Sequence, residues 1–541
     1  MMSQPAIPDY ASFTADFDIA QIEAMLDGSL TEGLNVAHEC VDRWADGDRV
    51  AANWIAANGD NGELTFADLK RRSAQFANIL AANGVGPGDV VSGLLPRIPE
   101  LLVVIMGTMR AGAVYQPLFT AFGPKAIEHR LKVSNAKMVV SDAANRSKLD
   151  GITEARLVAT IGASQPGDID FGAALDEQSE AFDPVMRTSA DLFLMMSTSG
   201  TTGAPKGVPI PQKALLSFIV YMRYGLGLRE GDRYWNIADP GWAYGLFYVV
   251  FGPLLLGHTT TLVDGPFSVE GACEVIEGQD ITNLAGAPTA YRMMIAAGDG
   301  VPNAIRGQLR VASSAGEPLN PEVVRWFDEK LDCPLKDHYG QTETAMVLFN
   351  HHGLSHPVRS GSAGLPAPGI TLAVVDEAGR KLPPGEQGIL AVDLPNSPLN
   401  YFTGYLGREG QDWVGDYYLT GDSVEQHEDG TFSFVGRSDD VISSAGYRIG
   451  PFDVESALIE HETVLESAVV GKPDAERGHI VKAFIVLNEG FAASDELSET
   501  LRLHVRARLG AHAYPREIEF AEGLPKTPSG KIQRFLLREQ A

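Results

Sequence analysis

A loop rich in glycine and hydroxyl side chains carries the strongest chemical signal of the chain. It follows an apolar run, Leu192 to Met196, that fits a buried strand, and it ends in a single lysine, Lys206, followed by Gly207. Glycine lets a backbone approach a ligand closely, while hydroxyls, amide N–H groups and a lysine bind anionic oxygens. The common nucleotide-binding loop instead has Ser or Thr directly after its lysine, so we predict a polyphosphate loop of another type. A Gly/Ser linker could share this composition, but such linkers rarely end in Pro-Lys-Gly after an apolar strand. The candidate residues are Thr198, Ser199, Gly200, Thr201, Thr202, Gly203 and Lys206.

Three further motifs place polar residues where strand-like segments end. Gly316 to Pro318 follows the run LRVASSA, and a glycine at the end of a parallel strand lies where such sheets bind ligands. Residues 337–343 read DHYGQTE, in which a tyrosine can stack on a base, a threonine can reach a phosphate and a carboxylate can hold Mg²⁺. Asp422, in LTGD, could accept from both ribose hydroxyls. Taken singly, each of these segments also fits an ordinary turn.

Basic residues in glycine-bounded turns follow towards the end of the chain. Arg437 and Arg448 lie within GRSDDVISSAGYRIG and suit phosphate recognition, although a solvated surface turn reads the same way. Lys531, in PSGK, could bring positive charge to oxygens that become more negative during a reaction, although most lysines near a terminus are only solvated. His352 and His356 have no acidic or cysteine partner nearby in sequence, so we expect no metal there.

Composition limits the classes of function. The chain has 541 residues, which predicts at least two domains, and its 44% hydrophobic and 21% charged residues are ordinary for a globular enzyme. A net charge of −27 argues against nucleic acid or anionic membranes as partners. Three dispersed cysteines give neither a disulfide framework nor a zinc knuckle. Because no secretory signal or bilayer-length apolar run is visible, we expect a cytoplasmic protein without integral membrane association.

The elements that must position these residues change in character along the chain. The first part alternates apolar strands with helical stretches, which indicates βαβ units on largely parallel sheets. Beyond residue 360, short strands separated by Gly/Pro turns indicate a more β-rich subdomain. After residues 437–440 the pattern is mixed, with helices, strands and a basic tail. We therefore predict an α/β (α+β) fold.

The order and spacing of the motifs resemble one known family. STSGTTGAPKG, AGEP, YGQTE, LTGD, GRSDDVISSAGYRIGP and LPKTPSGKIQR together are similar to the motifs of the adenylate-forming (AMP-binding) superfamily, and especially to acetyl-CoA and medium-chain acyl-CoA synthetases. The resemblance implies a large N-terminal domain of three subdomains with parallel-rich sheets over residues 1–436. A small, mobile C-terminal α+β lid would follow over residues 437–541, with its hinge near Asp439.

The resemblance also implies a two-step reaction with ATP, Mg²⁺ and coenzyme A. A carboxylate attacks the α-phosphate of ATP and gives acyl-AMP and pyrophosphate; the CoA thiol then attacks the acyl carbonyl and releases AMP. Catalysis is implied for Lys531, Thr342 and Glu343, with Glu343 also holding Mg²⁺. CoA contacts are implied for Gly446, Arg506 and Arg146. Besides the loop residues named above, ATP binding is implied for Gly316, Glu317, Pro318, Asp337, His338, Tyr339, Gly340, Gln341, Thr342, Asp422, Arg437, Arg448 and Lys531.

The implied acyl pocket leaves the substrate open. Its residues would be Trp242, Tyr244, Ala315 and Gly340. Acetyl-CoA synthetases carry tryptophan where this chain has Gly340, so we expect a larger pocket and a short- to medium-chain, branched or aryl acid. Against this, the segment DPGWAYG resembles the acetyl-CoA type, so acetate or propionate stays an alternative, and Trp242 could equally be packed in the core.

Other activities remain to be separated from this one. An amino-acid adenylation enzyme would hand its product to a carrier domain, and we see none after Lys531. A luciferase-like oxidation and a non-catalytic nucleotide sensor are further readings. The retained phosphate loop, Glu343 and Asp422 argue against the sensor.

Overall fold

The computed structural model describes residues 7–198, 205–409, 413–444, 447–474, 477–510, 512–526 and 532–541, without the side chains of residues 409 and 448. Seven of the predicted site residues lie outside these ranges: Ser199, Gly200, Thr201, Thr202, Gly203, Gly446 and Lys531.

A seven-stranded sheet forms the first layer of the N-terminal part. Its pairs are parallel except the last one, in which the strand after the phosphate loop runs antiparallel to the strand before it. Two long helices cover it, Phe66–Ala82 and Pro99–Arg110, and the second is buried along most of its length, as expected for its apolar sequence. In spatial order the strands are Ile169–Asp170, Val158–Ile161, Met138–Asp142, Val90–Leu94, Val114–Pro117, Leu192–Thr198 and Lys206–Pro211.

A six-stranded sheet forms the second layer and carries the DHYGQTE motif. Its first four strands are parallel and the last two turn back antiparallel. In order they are Tyr234–Asn236, Asn283–Gly286, Val311–Ala315, Leu335–Gln341, Ala345–Phe349 and Leu365–Pro366. Helices Val269–Gly278, Pro288–Ala296, Gly300–Ile305 and Pro321–Leu331 connect the parallel strands, so the carboxyl ends of these strands share one edge, where such sheets bind ligands.

A five-stranded antiparallel sheet carries the LTGD motif. Its strands are Leu372–Val375, Gln387–Asp393, Tyr417–Gln426, Trp413–Val414 and Phe432–Arg437. Two smaller sheets complete the N-terminal part, one of three strands and one of two. They consist of Val50–Ile55, Asn61–Thr65 and Thr260–Val263, and of Gly404–Tyr405 and Arg408–Glu409.

Shorter helices fill the spaces between these sheets. Two of them are π-helical turns, Tyr221–Gly225 and Leu246–Phe251, which continue α-helical stretches beside the predicted acyl pocket. The others are Tyr10–Ala15, Ile19–Glu23, Val36–Cys40, Asp42–Trp44, Pro124–Ser134, Arg146–Leu149, Phe171–Asp176, Ala214–Val220, Ala243–Gly245 and Gly252–Leu255. Among the described residues, no helix combines the length and apolarity that crossing a membrane requires.

The C-terminal part has a five-stranded sheet and a core of its own. The strands are Tyr447–Ile449, Ile442–Ser444, Gly478–Leu487, Val464–Asp474 and Glu517–Phe520, and the helices are Pro451–Ile459, Asp495–Leu509 and Arg534–Gln540. Val454, Leu458, Leu501 and Val505 bring two of these helices onto the sheet. The predicted mixed α/β fold with parallel-rich sheets is confirmed.

Candidate active site

Asp422 is the centre of a polar cluster that joins the second and third sheets. Its carboxylate accepts hydrogen bonds from the Tyr339 hydroxyl at 2.5 Å and from Gln341 Nε2 at 2.7 Å. The guanidinium of Arg437 lies 3.7 Å away. Only 6% of Asp422 is exposed, and the two hydrogen bonds and the nearby guanidinium offset the cost of burying its charge. Four residues taken from three sequence motifs therefore meet at one point.

Local backbone geometry explains how Asp422 and Arg437 meet. They are directly opposite each other on the antiparallel strands Tyr417–Gln426 and Phe432–Arg437. Gly421 precedes the aspartate with a φ of 74°, and a Cβ atom there would lie 3.3 Å from Arg437 Nη2. Glycine at this position thus allows both the left-handed turn and the close approach of the guanidinium.

The turn after Leu335–Gln341 holds the predicted metal ligand. Ala345 ends it with a φ of 57°, and Gln341 donates its backbone N–H to Thr344 Oγ1 at 3.3 Å. The Glu343 carboxylate, in a residue only 6% exposed, accepts a hydrogen bond from the Tyr405 hydroxyl at 2.7 Å. Sequence reasoning did not identify Tyr405, because it lies in a segment, NYFTGYLG, that matched no motif considered.

Lys206, on the last strand of the first sheet, also contacts Tyr405. Its Nζ lies 4.2 Å from the centroid of the Tyr405 ring. The end of the phosphate loop and the Glu343 turn therefore meet around one tyrosine. The oxygen donors of Thr342 and Glu343 fit Mg²⁺, which uses one or two carboxylates together with substrate phosphates. In the described part of the chain no cluster of three or more His, Cys, Asp or Glu side chains offers an alternative metal site.

Burial keeps the side chains of both Asp337 and His338 uncharged at neutral pH. Burial raises the pKa of Asp337 to about 8, so this carboxyl carries a proton at neutral pH. Burial lowers the pKa of His338 to about 3 and keeps its imidazole neutral. His338 Nε2 faces the Asn350 carbonyl at 3.1 Å and Nδ1 faces the Tyr221 hydroxyl at 2.8 Å. Both ring nitrogens are thus engaged inside the protein, and only the backbone of His338 can face a nucleotide.

The tautomer of His338 determines whether the Tyr244 hydroxyl donates or accepts a hydrogen bond. A carbonyl can only accept, so Nε2 carries the hydrogen and Nδ1 must accept from Tyr221. The Tyr244 hydroxyl lies 3.0 Å from that of Tyr221, and it must donate because the Tyr221 hydrogen is used on the imidazole. The phenolic oxygen of Tyr244 therefore presents lone pairs, and no hydrogen, to any further partner.

The third strand-end motif, residues 316–318, can contact a ligand through its backbone. Gly316 has a φ of 96° directly after Val311–Ala315, so only glycine makes this turn without strain. The Glu317 carboxylate accepts from Thr289 Oγ1 at 3.1 Å and from Arg292 Nη2 at 3.2 Å. Because that carboxylate is engaged, the peptide groups of residues 316–318 are the better candidates for contacting a nucleotide.

The expectation that Gly340 leaves open volume is wrong. A Cβ atom there would lie 2.2 Å from the Ala345 carbonyl oxygen and 2.7 Å from both Cα and Sδ of Met346. The neighbouring antiparallel strand fills the direction a side chain would take. Glycine is required by this close approach of two backbones, and the absence of an indole creates no cavity.

Trp242 and Ala315, the other implied pocket residues, are held by packing. The Trp242 ring lies 5.3 Å from Phe119 and 5.5 Å from Phe122, between centroids. Its indole N–H is buried without a partner among the described residues. Ala315 is 2% exposed at the end of its strand. The alternative that Trp242 belongs to the core is thus supported.

The predicted hinge residue and its neighbours make charged contacts. Asp439 is exposed, accepts from Arg437 Nε at 3.1 Å, and precedes Asp440, which pairs with Arg538. The backbone of Arg448 pairs with Ser443.

The two predicted CoA-binding arginines differ. Arg146 is held by Asp168 at 2.7 and 2.9 Å and by Asp150 at 2.9 Å, so its charge is already compensated. Arg506 lies 5.8 Å from the ring centroid of Tyr514, which Arg502 and Arg516 also approach, at 5.6 and 5.3 Å. Sequence reasoning missed this group of three arginines around one aromatic ring.

Comparison with known proteins places this fold and site in a family. Residues 41–406 match the family model described as AMP-binding enzyme, and residues 453–531 match the AMP-binding enzyme C-terminal domain. The acetyl-coenzyme A synthetase of Bacillus subtilis (strain 168) is 38% identical, with 98% of this chain and 95% of the relative covered. The mitochondrial acyl-coenzyme A synthetase ACSM3 of Mus musculus is 35% identical, with 98% and 93% covered.

Solved structures agree with this assignment. An acyl-CoA synthetase of Brucella canis is 57% identical, with a TM-score of 0.81 and coverage of 98% of this chain and 99% of that one. The anthranilate CoA ligase AuaEII, solved with anthranoyl-AMP, is 27% identical, with a TM-score of 0.87 and coverage of 97% and 99%. The chain therefore belongs to the AMP-binding enzyme family, and the predicted class of AMP-forming acyl-CoA synthetase is confirmed.

Proposed function

We propose that this enzyme joins a short- to medium-chain carboxylic acid to coenzyme A at the expense of ATP. In the first step the acid's carboxylate oxygen bonds to the α-phosphorus, and the bond to pyrophosphate breaks. In the second, the CoA sulfur bonds to the acyl carbon, AMP leaves, and the thiol proton is released. The observation that carries the proposal is the meeting of Asp422, Tyr339 and Arg437 close to the turn that bears Glu343.

Different residues of the cluster would contact different parts of the nucleotide. Asp422 would accept hydrogen bonds from the ribose hydroxyls, and the Tyr339 ring would stack on adenine. Lys206 would neutralise phosphate oxygens, and Thr342 and Glu343 would hold Mg²⁺. A bound Mg²⁺ would offset the negative charge that gathers on the phosphates during adenylation. Lys531 would add a cation on the acyl side, and a lid hinged at Asp439 would carry it in and out.

Coenzyme A would meet the C-terminal part. In a protein of net charge −27, Arg506 and Arg516 beside Tyr514 are the kind of surface that holds a phosphorylated nucleotide. Arg502, the third arginine of this group, is paired with Glu499 at 2.8 Å. This surface supports Arg506 as a CoA contact and adds Arg516 and Tyr514 to it. Gly446 would line the path of the pantetheine arm. Arg146 is the weakest member of the predicted set because three carboxylate contacts already occupy its guanidinium.

The acid itself is proposed from chemistry of the pocket. Tyr244 presents an acceptor, which suits an uncharged acyl chain or one that carries a donor, and disfavours a second carboxylate. An amino acid would need a free acidic partner, but Asp239 in DPGWAYG lies 3.7 Å from Arg97 and accepts from the Gly241 N–H at 2.7 Å. Because Gly340 opens no volume, acetate and propionate stand beside the longer acids as candidate substrates.

The test is pyrophosphate release with Mg-ATP and CoA across acetate to decanoate, isobutyrate, benzoate and several amino acids, with thioester measured in parallel. A maximum between butanoate and octanoate, with acyl-CoA formed, would support the proposal. A maximum at acetate or propionate would favour the alternative. Turnover with amino acids alone and no CoA thioester would contradict it.

A further inference from the structure

One short segment, residues 401–406, contacts both halves of the proposed phosphate site. On one side the Leu406 N–H donates to the Gly207 carbonyl at 3.0 Å, beside Lys206. On the other, the Tyr401 hydroxyl donates to the Thr342 carbonyl at 2.9 Å, beside Glu343. The segment thus ties the end of the phosphate loop to the metal-binding turn, although these are more than a hundred residues apart in sequence.

Tyr405 makes this link with its side chain as well. Its hydroxyl donates to Glu343 Oε1, and its ring face meets the ammonium of Lys206. A buried carboxylate needs donors to stay ionised, and an ammonium is attracted to the face of an aromatic ring. One phenol therefore holds an anion by its hydroxyl and a cation by its ring.

The ring has a packed support. Phe402 lies 5.3 Å from the Tyr405 ring and 5.0 Å from that of Tyr418, between centroids. Gly404–Tyr405 also pairs with Arg408–Glu409 in a short antiparallel ladder. A side chain held from several sides keeps its partners in a fixed relation, which is what positioning for phosphoryl chemistry requires.

We propose that Tyr405 is a positioning residue of the adenylation step, which fixes the Glu343 carboxylate and the Lys206 ammonium relative to each other. The proposal rests on the proposed function and deepens it: the paired charges would receive the β- and γ-phosphates of Mg-ATP. Tyr405 does not touch the reacting atoms. The thioester step, which follows the loss of pyrophosphate, does not use this pair.

Two substitutions separate the role of the phenol hydroxyl from that of the ring. Tyr405→Phe removes the hydrogen bond to Glu343 and keeps the ring beside Lys206, whereas Tyr405→Leu removes both. Tyr10→Phe is the matched control, because the Tyr10 hydroxyl donates a hydrogen bond to the Pro366 carbonyl at 3.0 Å and contacts neither Glu343 nor Lys206. Urea unfolding of all three variants establishes that each is folded.

The readout is equilibrium binding of ATP by calorimetry over a series of Mg²⁺ concentrations, with AMP as the internal reference. For Tyr405→Phe we expect ATP affinity at limiting Mg²⁺ to fall about tenfold, as for loss of a hydrogen bond to a charged group, and to recover at high Mg²⁺. AMP affinity and thioester formation from preformed acyl-AMP should equal those of the wild type. Tyr405→Leu should bind ATP more weakly even at high Mg²⁺.

Two outcomes would overturn the inference. If Tyr405→Phe binds ATP with the Mg²⁺ dependence of the wild type, the hydroxyl does not position Glu343. If ATP and AMP affinities fall equally, the tyrosine supports the whole fold of the site. Failure of the proposed function would look different, because the wild-type protein itself would then release no pyrophosphate with any acid.

Discussion

Gly340 allows the sharpest test of how this site is built. A methyl group there would lie 2.2 Å from the Ala345 carbonyl oxygen, where ordinary contacts begin at 3.4 Å. For Gly340→Ala, the strand Ala345–Phe349 must therefore retreat by about 1.2 Å, the difference between these two distances. Met346 Sδ could move aside, but a paired backbone carbonyl cannot move without its strand.

The expected cost follows from that displacement. Overpacking of this kind typically costs about 1–3 kcal/mol of the free energy of unfolding. The strand shift also moves the turn that carries Glu343, so we expect the ATP-dependent pyrophosphate release to fall together with stability. Urea unfolding and steady-state kinetics with the preferred acid measure the two effects.

A matched control separates a local clash from the general effect of replacing glycine. Gly278 ends the helix Val269–Gly278 and has nothing within 4 Å of its Cβ direction, so Gly278→Ala should be neutral or stabilise by about 0.4–1 kcal/mol. The reasoning is refuted if Gly340→Ala matches the wild type in stability. A changed acid preference without loss of stability would instead restore the interpretation of Gly340 as a pocket opening.

Three further changes probe the charges of the site. Asp337→Asn should become more stable relative to the wild type as pH rises from about 4 to about 8. Burial raises the pKa of the Asp337 carboxyl from 3.8 to about 8, so over this range the folded wild type keeps a proton that the unfolded chain releases, and the wild type loses stability. Thermal midpoints that differ equally at every pH would contradict this. Asp422→Asn should lower kcat/KM for ATP by about 10- to 100-fold, the cost of weakening charged hydrogen bonds, and an unchanged kcat/KM would remove Asp422 from the ribose site. Arg538→Gln removes one of the two arginines that approach Asp440 beside the proposed hinge, the other being Arg534 at 3.8 Å. It should leave stability nearly unchanged but alter the ratio of adenylation to thioester rates by up to about fivefold. The control Arg508→Gln, which breaks an exposed pair with Glu460, should not alter this ratio, and equal ratios in both variants would argue against a role at the hinge.

The residues of the polar cluster around Asp422 could be predicted from sequence, but their mutual contacts could not. Tyr339, Gln341, Asp422 and Arg437 come from motifs whose residue types suit a nucleotide, and the parallel strand pattern indicated a shared edge. Their meeting depends on the pairing of two separate sheets, which no local pattern gives. The motif order supplied that information only through resemblance to a family.

What the sequence did not show has a different physical cause at Gly340 and at Tyr405. Gly340 was interpreted as missing volume because a sequence shows which side chain is absent and not what occupies its place; here a neighbouring backbone does. Tyr405 was overlooked because an isolated tyrosine in a short loop has no periodicity or spacing to mark it. Arg146 stays a predicted CoA contact, although Asp168, 22 residues away in sequence, binds its guanidinium bidentately.

The residues proposed to bind the nucleotide lie in the N-terminal part of the chain, apart from the proposed lid. Among the described residues, the groups that surround Asp422, Glu343 and Lys206 all precede Ser438, whereas the arginines around Tyr514 belong to the C-terminal part. Lys531, outside the described residues, also follows Ser438 in sequence. If the lid turns about Asp439, the ribose and phosphate contacts can persist while the acyl side of the site exchanges one set of partners for another. A retained AMP moiety is what the second step needs as its leaving group. The same chain can thus hold acyl-AMP in place between the two steps of the proposed reaction.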